Sequence, residues 1–208
     1  MNYKNILISY KITFALLGFS AVITEIATLV ERGFFKPFNF FSYFTIQSNI
    51  FAFIVLIMGA LAVANNERSS RFNLLRGAAT LYMVITGIVF AVLLAGVEGS
   101  ILTAAPWDNI VLHYIMPVVL LMDWLVDKPS KAITFKSSAV WLLYPVTYVI
   151  YSLIRGRIVN WYPYPFLDPK NNGYIGVLLT GLAIAGLTIA LMYVLTRFTR
   201  RKSSDSRR

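Results

Sequence analysis

Thr45 and His113 carry a hydroxyl and an imidazole that could together support nucleophilic catalysis. A threonine hydroxyl is a poor nucleophile unless a base removes its proton. Neutral imidazole is a suitable base near pH 7, and it can return the proton to a leaving alkoxide. His113 is the single histidine of the chain, so any imidazole chemistry must use it. If folding brings the two residues together, the pair predicts attack on a carbonyl carbon.

Polar neighbours of Thr45 could support that attack. Four side chains share an arc of roughly 120° on a helix that turns by about 100° per residue: Ser42, Thr45, Ser48 and Asn49. Asn49 or Ser48 could donate to the developing oxyanion, which is worth on the order of 3 kcal/mol for a good donor. Interhelical hydrogen bonding by small polar residues also explains this pattern.

The surroundings of His113 suggest how its ring could be oriented. Asn109 lies one turn earlier and could accept the imidazole N–H, which would fix the tautomer. Pro117 cannot donate to the carbonyl of His113, so we expect a kink beside the imidazole. Glu25 could orient the imidazolium or pair with Arg155. A purely structural hydrogen bond from His113 to a neighbouring helix remains an equal alternative.

The composition indicates where these residues lie. Hydrophobic residues make up 58% and charged residues 13% of the 208 residues, against about 45–50% and about 25% in soluble domains. The mean hydropathy is +0.67, which predicts an integral membrane protein. The chain has no cysteine, which excludes disulfides and thiolate metal sites. We expect no metal and no other cofactor, because Asp123 is roughly 15 Å along the helix from His113 and could not join it and Glu25 as a ligand.

Six segments are long and apolar enough to span a bilayer, which takes roughly 20 residues each. They are about Ile6–Val30, Phe40–Ala64, Leu74–Val97, Trp107–Val126, Val140–Ile154 and Tyr174–Leu195. The fifth is short and is expected to begin nearer Phe135. We therefore predict an all-α integral membrane protein, a six-transmembrane-helix bundle over residues 1–198. Residues 199–208 form a basic tail that is predicted to be disordered.

The net charge of +10 is explained by the loops. With six spans both termini lie on one side, and that side collects fourteen Lys and Arg residues, Lys11 and Arg76 among them, against five on the other. Because cytoplasmic loops are enriched in Lys and Arg, both termini are predicted to be cytoplasmic. The excess charge also suits contact with anionic membrane lipids, so no nucleic acid partner is expected.

Thr45 and His113 are predicted to lie at matching depth. Their segments both run inward from the outer side, and the residues lie about five and about six positions in, or roughly 8–9 Å below the outer boundary. A stripe on the fifth segment would join them: Tyr144, Tyr148, Tyr151 and Arg155. Phe44 and Met116 would contact an acyl chain. The proline-rich segment Trp161–Phe166 cannot be helical and is expected to cap the bundle.

Three motifs carry a resemblance to a known family. The run Phe41–Asn49, with His113–Pro117 and Asp123-Trp124, resembles the androgen-induced and androgen-dependent-TFPI-regulating protein family. The segment Trp161–Phe166 resembles that family's bacterial relatives. The resemblance implies a multi-pass membrane hydrolase that cleaves fatty acid esters of hydroxy fatty acids. It also implies a threonine nucleophile in the second span and a partner histidine in the fourth, which correspond to Thr45 and His113.

The sequence therefore predicts an intramembrane lipid esterase, in the inner membrane of a bacterial cell, that acts through an acyl-threonine intermediate. Its substrate would be a fatty acid ester of a hydroxy fatty acid or a related lipid ester, and Arg155 or Arg157 could hold a free carboxylate. The alternative is a small non-enzymatic protein that binds or transports lipid. The off-centre polar cluster and the lack of an inverted repeat count against transport.

Overall fold

The computed structural model describes residues 2–67, 69–96, 105–129 and 131–199. In these ranges the chain is helical and has no strand. Six helices are long and apolar enough to cross a membrane, which confirms the prediction of an all-α chain with six segments of membrane-spanning length. They are α1 (Tyr3–Glu31), α2 (Phe44–Ala64), α3 (Ser70–Leu94), α4 (Pro106–Val126), α5 (Phe135–Val159) and α6 (Pro169–Phe198). Apart from Thr199, the predicted basic tail lies outside the described residues, as does Val97.

Both ends of the described chain lie at the same end of the bundle. The Tyr3 hydroxyl donates to the carbonyl oxygen of Val126 at 3.3 Å, and the hydroxyl of Thr199 accepts from the backbone N–H of Ile133 at 3.0 Å. We call this the terminal end. At the opposite end, the far end, α2, α4 and α6 begin.

The start of α2 differs from the expected start. A one-turn helix, Pro37–Phe40, comes first, and Tyr43 is extended with φ −75° and ψ 128°. The Ser42 hydroxyl donates to the carbonyl oxygen of Phe38, which closes the short helix before the chain turns into α2. Thr45 therefore lies in the first turn of α2, whereas His113 lies well inside α4, so they are not equally far from the starts of their helices.

Three groups of buried apolar side chains pack the described part of the bundle, and the smallest lies at the far end around Phe90 and Tyr164. The largest joins α1, α2, α3 and α4 and includes Ala15, Ala52 and Leu112. The remaining group joins α3, α4, α5 and α6 around Trp124 and Trp141, whose indole N–H groups donate to backbone carbonyl oxygens of other helices. The largest group packs α2 against α4 beside Thr45 and His113, through residues such as Ile46 and Leu112.

A buried ionic network lies in the half of the bundle nearer the terminal end. Lys11 pairs with Asp123 and with Asp127, the latter at 3.1 Å. Arg76 pairs with Asp123 at 2.9 Å and with Asp127 at 3.4 Å. All four residues are at most 5% exposed. Lys11 and Arg76 are therefore internal ion-pair partners and not membrane-surface charges. The other twelve Lys and Arg residues assigned to the terminal side still outnumber the five on the opposite side.

Candidate active site

A π-helical turn positions His113. The turn spans Val111–Ile115 and is followed by Pro117, which has no N–H to donate to His113. The expected distortion thus takes the form of a wider turn, a form frequent at functional sites. Gly87 of α3 packs directly against it: a Cβ there would lie 3.2 Å from the carbonyl oxygen of His113 and 3.0 Å from Pro117. Only a glycine allows this approach without a shift.

The imidazole of His113 is buried and held in one tautomer. Its Nδ1 lies 3.2 Å from the backbone carbonyl oxygen of Asn109. Because a carbonyl oxygen can only accept, Nδ1 carries the proton and Nε2 carries the lone pair. Asn109 therefore fixes the tautomer, as the sequence suggested, but through its main chain. Phe90 of α3 stacks on the ring at 3.9 Å between centroids.

The hydroxyl of Thr45 lies at the N-terminus of α2 and is bound by a tyrosine. Its Oγ1 is 3.2 Å from the hydroxyl of Tyr164, which also accepts the backbone N–H of Thr45 at 3.1 Å. That N–H belongs to the first turn, where no intrahelical acceptor exists. Tyr164 thus caps α2 from outside the helix and contacts the candidate nucleophile at the same time.

Tyr164 belongs to the proline-rich cap predicted from Trp161–Phe166. The segment passes from Val159 to a short 3-10 helix, Pro165–Leu167. The ring of Tyr164 stacks on Phe166 at 5.1 Å and is 6% exposed. Burial raises the pKa of the Tyr164 phenol, so the phenol keeps its proton at neutral pH. No pattern in the sequence indicates its contact with Thr45, because 119 residues separate the two.

The predicted stripe on α5 supports the chain just before Thr45. Tyr144 donates to Gln47. The other three reach the preceding turn: Tyr148 donates to the carbonyl oxygen of Ser42 at 2.9 Å, and Tyr151 contacts the Ser42 hydroxyl at 3.2 Å. Arg155 donates to Asn39 Oδ1 at 2.8 Å. The stripe therefore clamps the start of α2.

The predicted oxyanion donors already serve main-chain carbonyl oxygens. Ser48 donates to that of Thr45 at 3.1 Å. Asn49 Nδ2 donates to that of Thr45 at 2.9 Å and to that of Leu112 at 3.2 Å. Asn49 thus holds the first turn of α2 against the π-turn of α4, one residue from His113.

The two proposed catalytic groups have different hydrogen-bond partners. In the described part of the chain no hydrogen bond joins Thr45 to His113: the hydroxyl contacts Tyr164 and the imidazole contacts Asn109. The link between them runs through Asn49 along the main chain and through Phe90, which stacks on His113 and lines the same cavity as Thr45.

A cavity of about 690 Å³ lies beside Thr45. Its walls are the first turn of α2, the far half of α3, the cap, and long stretches of α5 and α6, and they are almost entirely apolar. Along α5 it extends from Leu142 to Arg157, about 22 Å at 1.5 Å per residue. Phe44 and Tyr148 line it as well. Its size falls within the range of small-ligand sites, about 300–1,000 Å³.

Other predicted residues lie elsewhere. Glu25 is buried and interacts with the carboxyl group of Asp108, while Arg155 lies over the ring of Trp161 at 5.1 Å. Met116 is packed in the core, where a Cβ on Gly18 would approach within 2.8 Å of its methyl group. Among the residues that the structure describes, no group of three or more His, Asp or Glu side chains could hold a metal ion.

Comparison with known proteins adds no identification. Neither a protein-family model, nor a curated protein, nor a solved structure matches the chain. The assignment of a function therefore depends on the motifs and on the geometry of the site.

Proposed function

We propose that this protein is an intramembrane lipid esterase in which Thr45 is the nucleophile and His113 the base. One observation carries the proposal: Thr45 lines a long apolar cavity that suits an acyl chain. The tautomer of His113, with its lone pair on Nε2, adds support. The resemblance to the androgen-induced and androgen-dependent-TFPI-regulating family favours the same two residues and the class of fatty acid esters of hydroxy fatty acids.

The proposed reaction has two steps. Thr45 Oγ1 bonds to the ester carbonyl carbon while its proton passes to Nε2 of His113, and the alcohol leaves with that proton. Water then attacks the acyl-threonine and releases the fatty acid. Because no hydrogen bond among the described residues joins the hydroxyl to the imidazole, substrate entry must first bring Nε2 of His113 within reach of the Thr45 proton. Catalytic hydrogen bonds often tighten in this way only in the substrate complex.

The cavity suggests how a substrate would lie. Thr45 is near the far end, and the cavity continues past it toward the terminal end, which suits an acyl chain directed away from the ester. Arg157 lines the cavity at the far end and donates to the hydroxyl of Tyr174 at 3.1 Å. Of the two arginines considered from sequence, Arg157 is thus the one that could hold a carboxylate on the substrate.

The proposal is tested with a long-chain fluorophosphonate and a fluorogenic lipid ester on the purified protein in detergent. We expect ester turnover, and we expect mass spectrometry to locate one adduct on Thr45. Turnover with the adduct on another residue would overturn the assignment of the nucleophile. The absence of both turnover and an adduct would leave the non-enzymatic function.

The second candidate function is lipid binding or transport without chemistry. It is favoured by the separate hydrogen-bond partners of Thr45 and His113, since a binding cavity needs no reactive pair. This function predicts that a fatty acid protects a cysteine introduced at Thr45 from alkylation while no ester is cleaved. The chain has no native cysteine, which makes that reporter unambiguous.

We also propose that the protein lies in a bacterial inner membrane with both termini in the cytoplasm. The excess of Lys and Arg on the terminal side supports this orientation. It predicts that a cysteine introduced at Asn2 resists a membrane-impermeant maleimide in intact cells, whereas one at Lys170 reacts.

Replacing Arg157 by glutamine is expected to raise KM for an ester with a free carboxylate by about fivefold and to leave KM for its methyl ester unchanged. A fivefold change in KM is the effect expected of a charge-assisted hydrogen bond that is weakened by exposure to solvent. Lys170→Gln is the matched control, because Lys170 lies at the same end and binds Asn160. Equal effects of Arg157→Gln on the acid and the methyl ester would rule out the carboxylate contact.

A further inference from the structure

Among the residues that the structure describes, Tyr164 is the one whose side chain lies within hydrogen-bond distance of Thr45 Oγ1. The resemblance assigns it no role, and the sequence motifs did not single it out. It is buried under the cap, and its hydroxyl makes two contacts with one residue, the backbone N–H and the Oγ1 of Thr45.

The phenol of Tyr164 has one proton to donate at this contact. Its oxygen accepts the N–H of Thr45, so the proton can go to another oxygen. Two hydroxyl oxygens are its candidate acceptors: Oγ1 of Thr45 at 3.2 Å, and the hydroxyl of Tyr148, which donates its own proton to the carbonyl oxygen of Ser42. When the phenol donates to Oγ1, the proton of Thr45 stays available for a base.

We propose that Tyr164 donates a hydrogen bond to Oγ1 of Thr45 during the reaction, and so positions the nucleophile and stabilises the negative charge that develops on it. This inference rests on the proposed function of Thr45. Preorganised donors aimed at developing charge are a main source of catalysis. Because Tyr164 belongs to the cap, the cap would also determine when Thr45 is reactive.

The test compares Tyr164→Phe with Tyr162→Phe on the full-length protein. Tyr162 lies in the same cap and lines the same cavity, and its hydroxyl makes no hydrogen bond to a described residue. We expect Tyr164→Phe to lower kcat on the order of 10²-fold with KM within about twofold, as on removal of one catalytic donor. Tyr162→Phe removes a cap hydroxyl that has no contact with Thr45, so its kcat should exceed that of Tyr164→Phe by at least about tenfold.

The outcomes separate the two proposals. If Thr45→Val is inactive while Tyr164→Phe retains the parental kcat, the role of Tyr164 is wrong and the proposed nucleophile stands. If Thr45→Val retains activity, both are wrong. Both proposals are supported if Thr45→Val is inactive and if Tyr164→Phe has a lower kcat than Tyr162→Phe with an unchanged thermal midpoint.

A second measurement does not depend on turnover or on one variant's folding. In Thr45→Cys, a donor to the sulfur would stabilise the thiolate, which is the form that iodoacetamide attacks. We expect adding Tyr164→Phe to slow alkylation at pH 8 several-fold relative to adding Tyr162→Phe. Equal alkylation rates in the two double variants would overturn the inference, even in a protein with no esterase activity.

Discussion

Thr45→Val is expected to lower kcat for a long-chain ester by at least about 10³-fold. Valine keeps the β-branched shape of threonine, so the wall of the cavity is preserved while the attacking oxygen is lost. Removal of a nucleophile that works as a unit with its base costs several orders of magnitude. The measurement is the steady-state rate in detergent at saturating substrate, together with the thermal midpoint of each variant.

Thr86→Val is the matched control for this prediction. Thr86 lines the same cavity, and its hydroxyl donates to the carbonyl oxygen of Tyr82 at 2.9 Å. It therefore has the same side chain at the same wall, without the contact to Tyr164. We expect Thr86→Val to keep kcat within about tenfold of the parent. If the two valine variants lose activity equally, Thr45 has no chemical role.

His113→Gln should reduce kcat by about 10²–10⁴-fold, the usual contribution of a general base. The double variant with Thr45→Val should be no slower than Thr45→Val alone, because groups that act together are strongly non-additive. A further fall in the double variant would show that His113 acts on something other than Thr45, such as the packing of Phe90, which stacks on its ring.

The six helices could be predicted because a bilayer demands long apolar runs, a signal that belongs to each segment alone. The stripe on α5 was also predictable, since helical periodicity puts Tyr148, Tyr151 and Arg155 on one face. The structure shows that this face binds residues 39–42, which the sequence could not specify. Which helix packs on which depends on contacts between residues far apart in the chain.

Tyr164 and the start of α2 show the same limit at the site. The hydrophobic run begins at Phe40, but the helix begins at Phe44 because residues 37–43 fold into a separate turn held by α5. Hydropathy does not detect that break. Tyr164 lies in a segment whose prolines predict only an extended chain, and its placement on Thr45 depends on how the cap folds back over α2. The Thr45 hydroxyl was therefore predictable as a candidate nucleophile, whereas its hydrogen-bond partner, Tyr164, was not.

The burial of Lys11 and Arg76 was not predictable for a different reason. Counting charges in loops places Lys11 and Arg76 at a membrane surface, because that count uses position along the chain alone. In the folded bundle both point inward to Asp123 of α4 and to Asp127, which follows the last residue of that helix. Two cations and two carboxylates in contact form a neutral group, and a neutral hydrogen-bonded group is far less costly to bury than four separate charges. This network joins α1, α3 and α4 on the side away from the cap.

Asp123→Asn is expected to lower the free energy of unfolding by about 3–5 kcal/mol, the cost of leaving buried charges without a partner. Asp123 contacts both cations, Lys11 and Arg76, so one substitution leaves an excess positive charge inside the bundle. Asp168→Asn is the control: Asp168 caps α6 by accepting from Lys170, and asparagine caps about as well. The measurement is unfolding by denaturing detergent in mixed micelles.

The double variant Lys11→Met/Asp123→Leu tests whether charge balance is the cause. It removes one charge of each sign and leaves Arg76 beside Asp127, which are 3.4 Å apart. Because replacing an ion pair by apolar side chains of similar volume is often neutral, we expect the double variant to be more stable than Asp123→Asn by about 2 kcal/mol or more. If it is no more stable than Asp123→Asn, the network stabilises the bundle through the shape and hydrogen bonds of Asp123, such as those from Arg76 at 2.9 and 3.3 Å, and not through its charge.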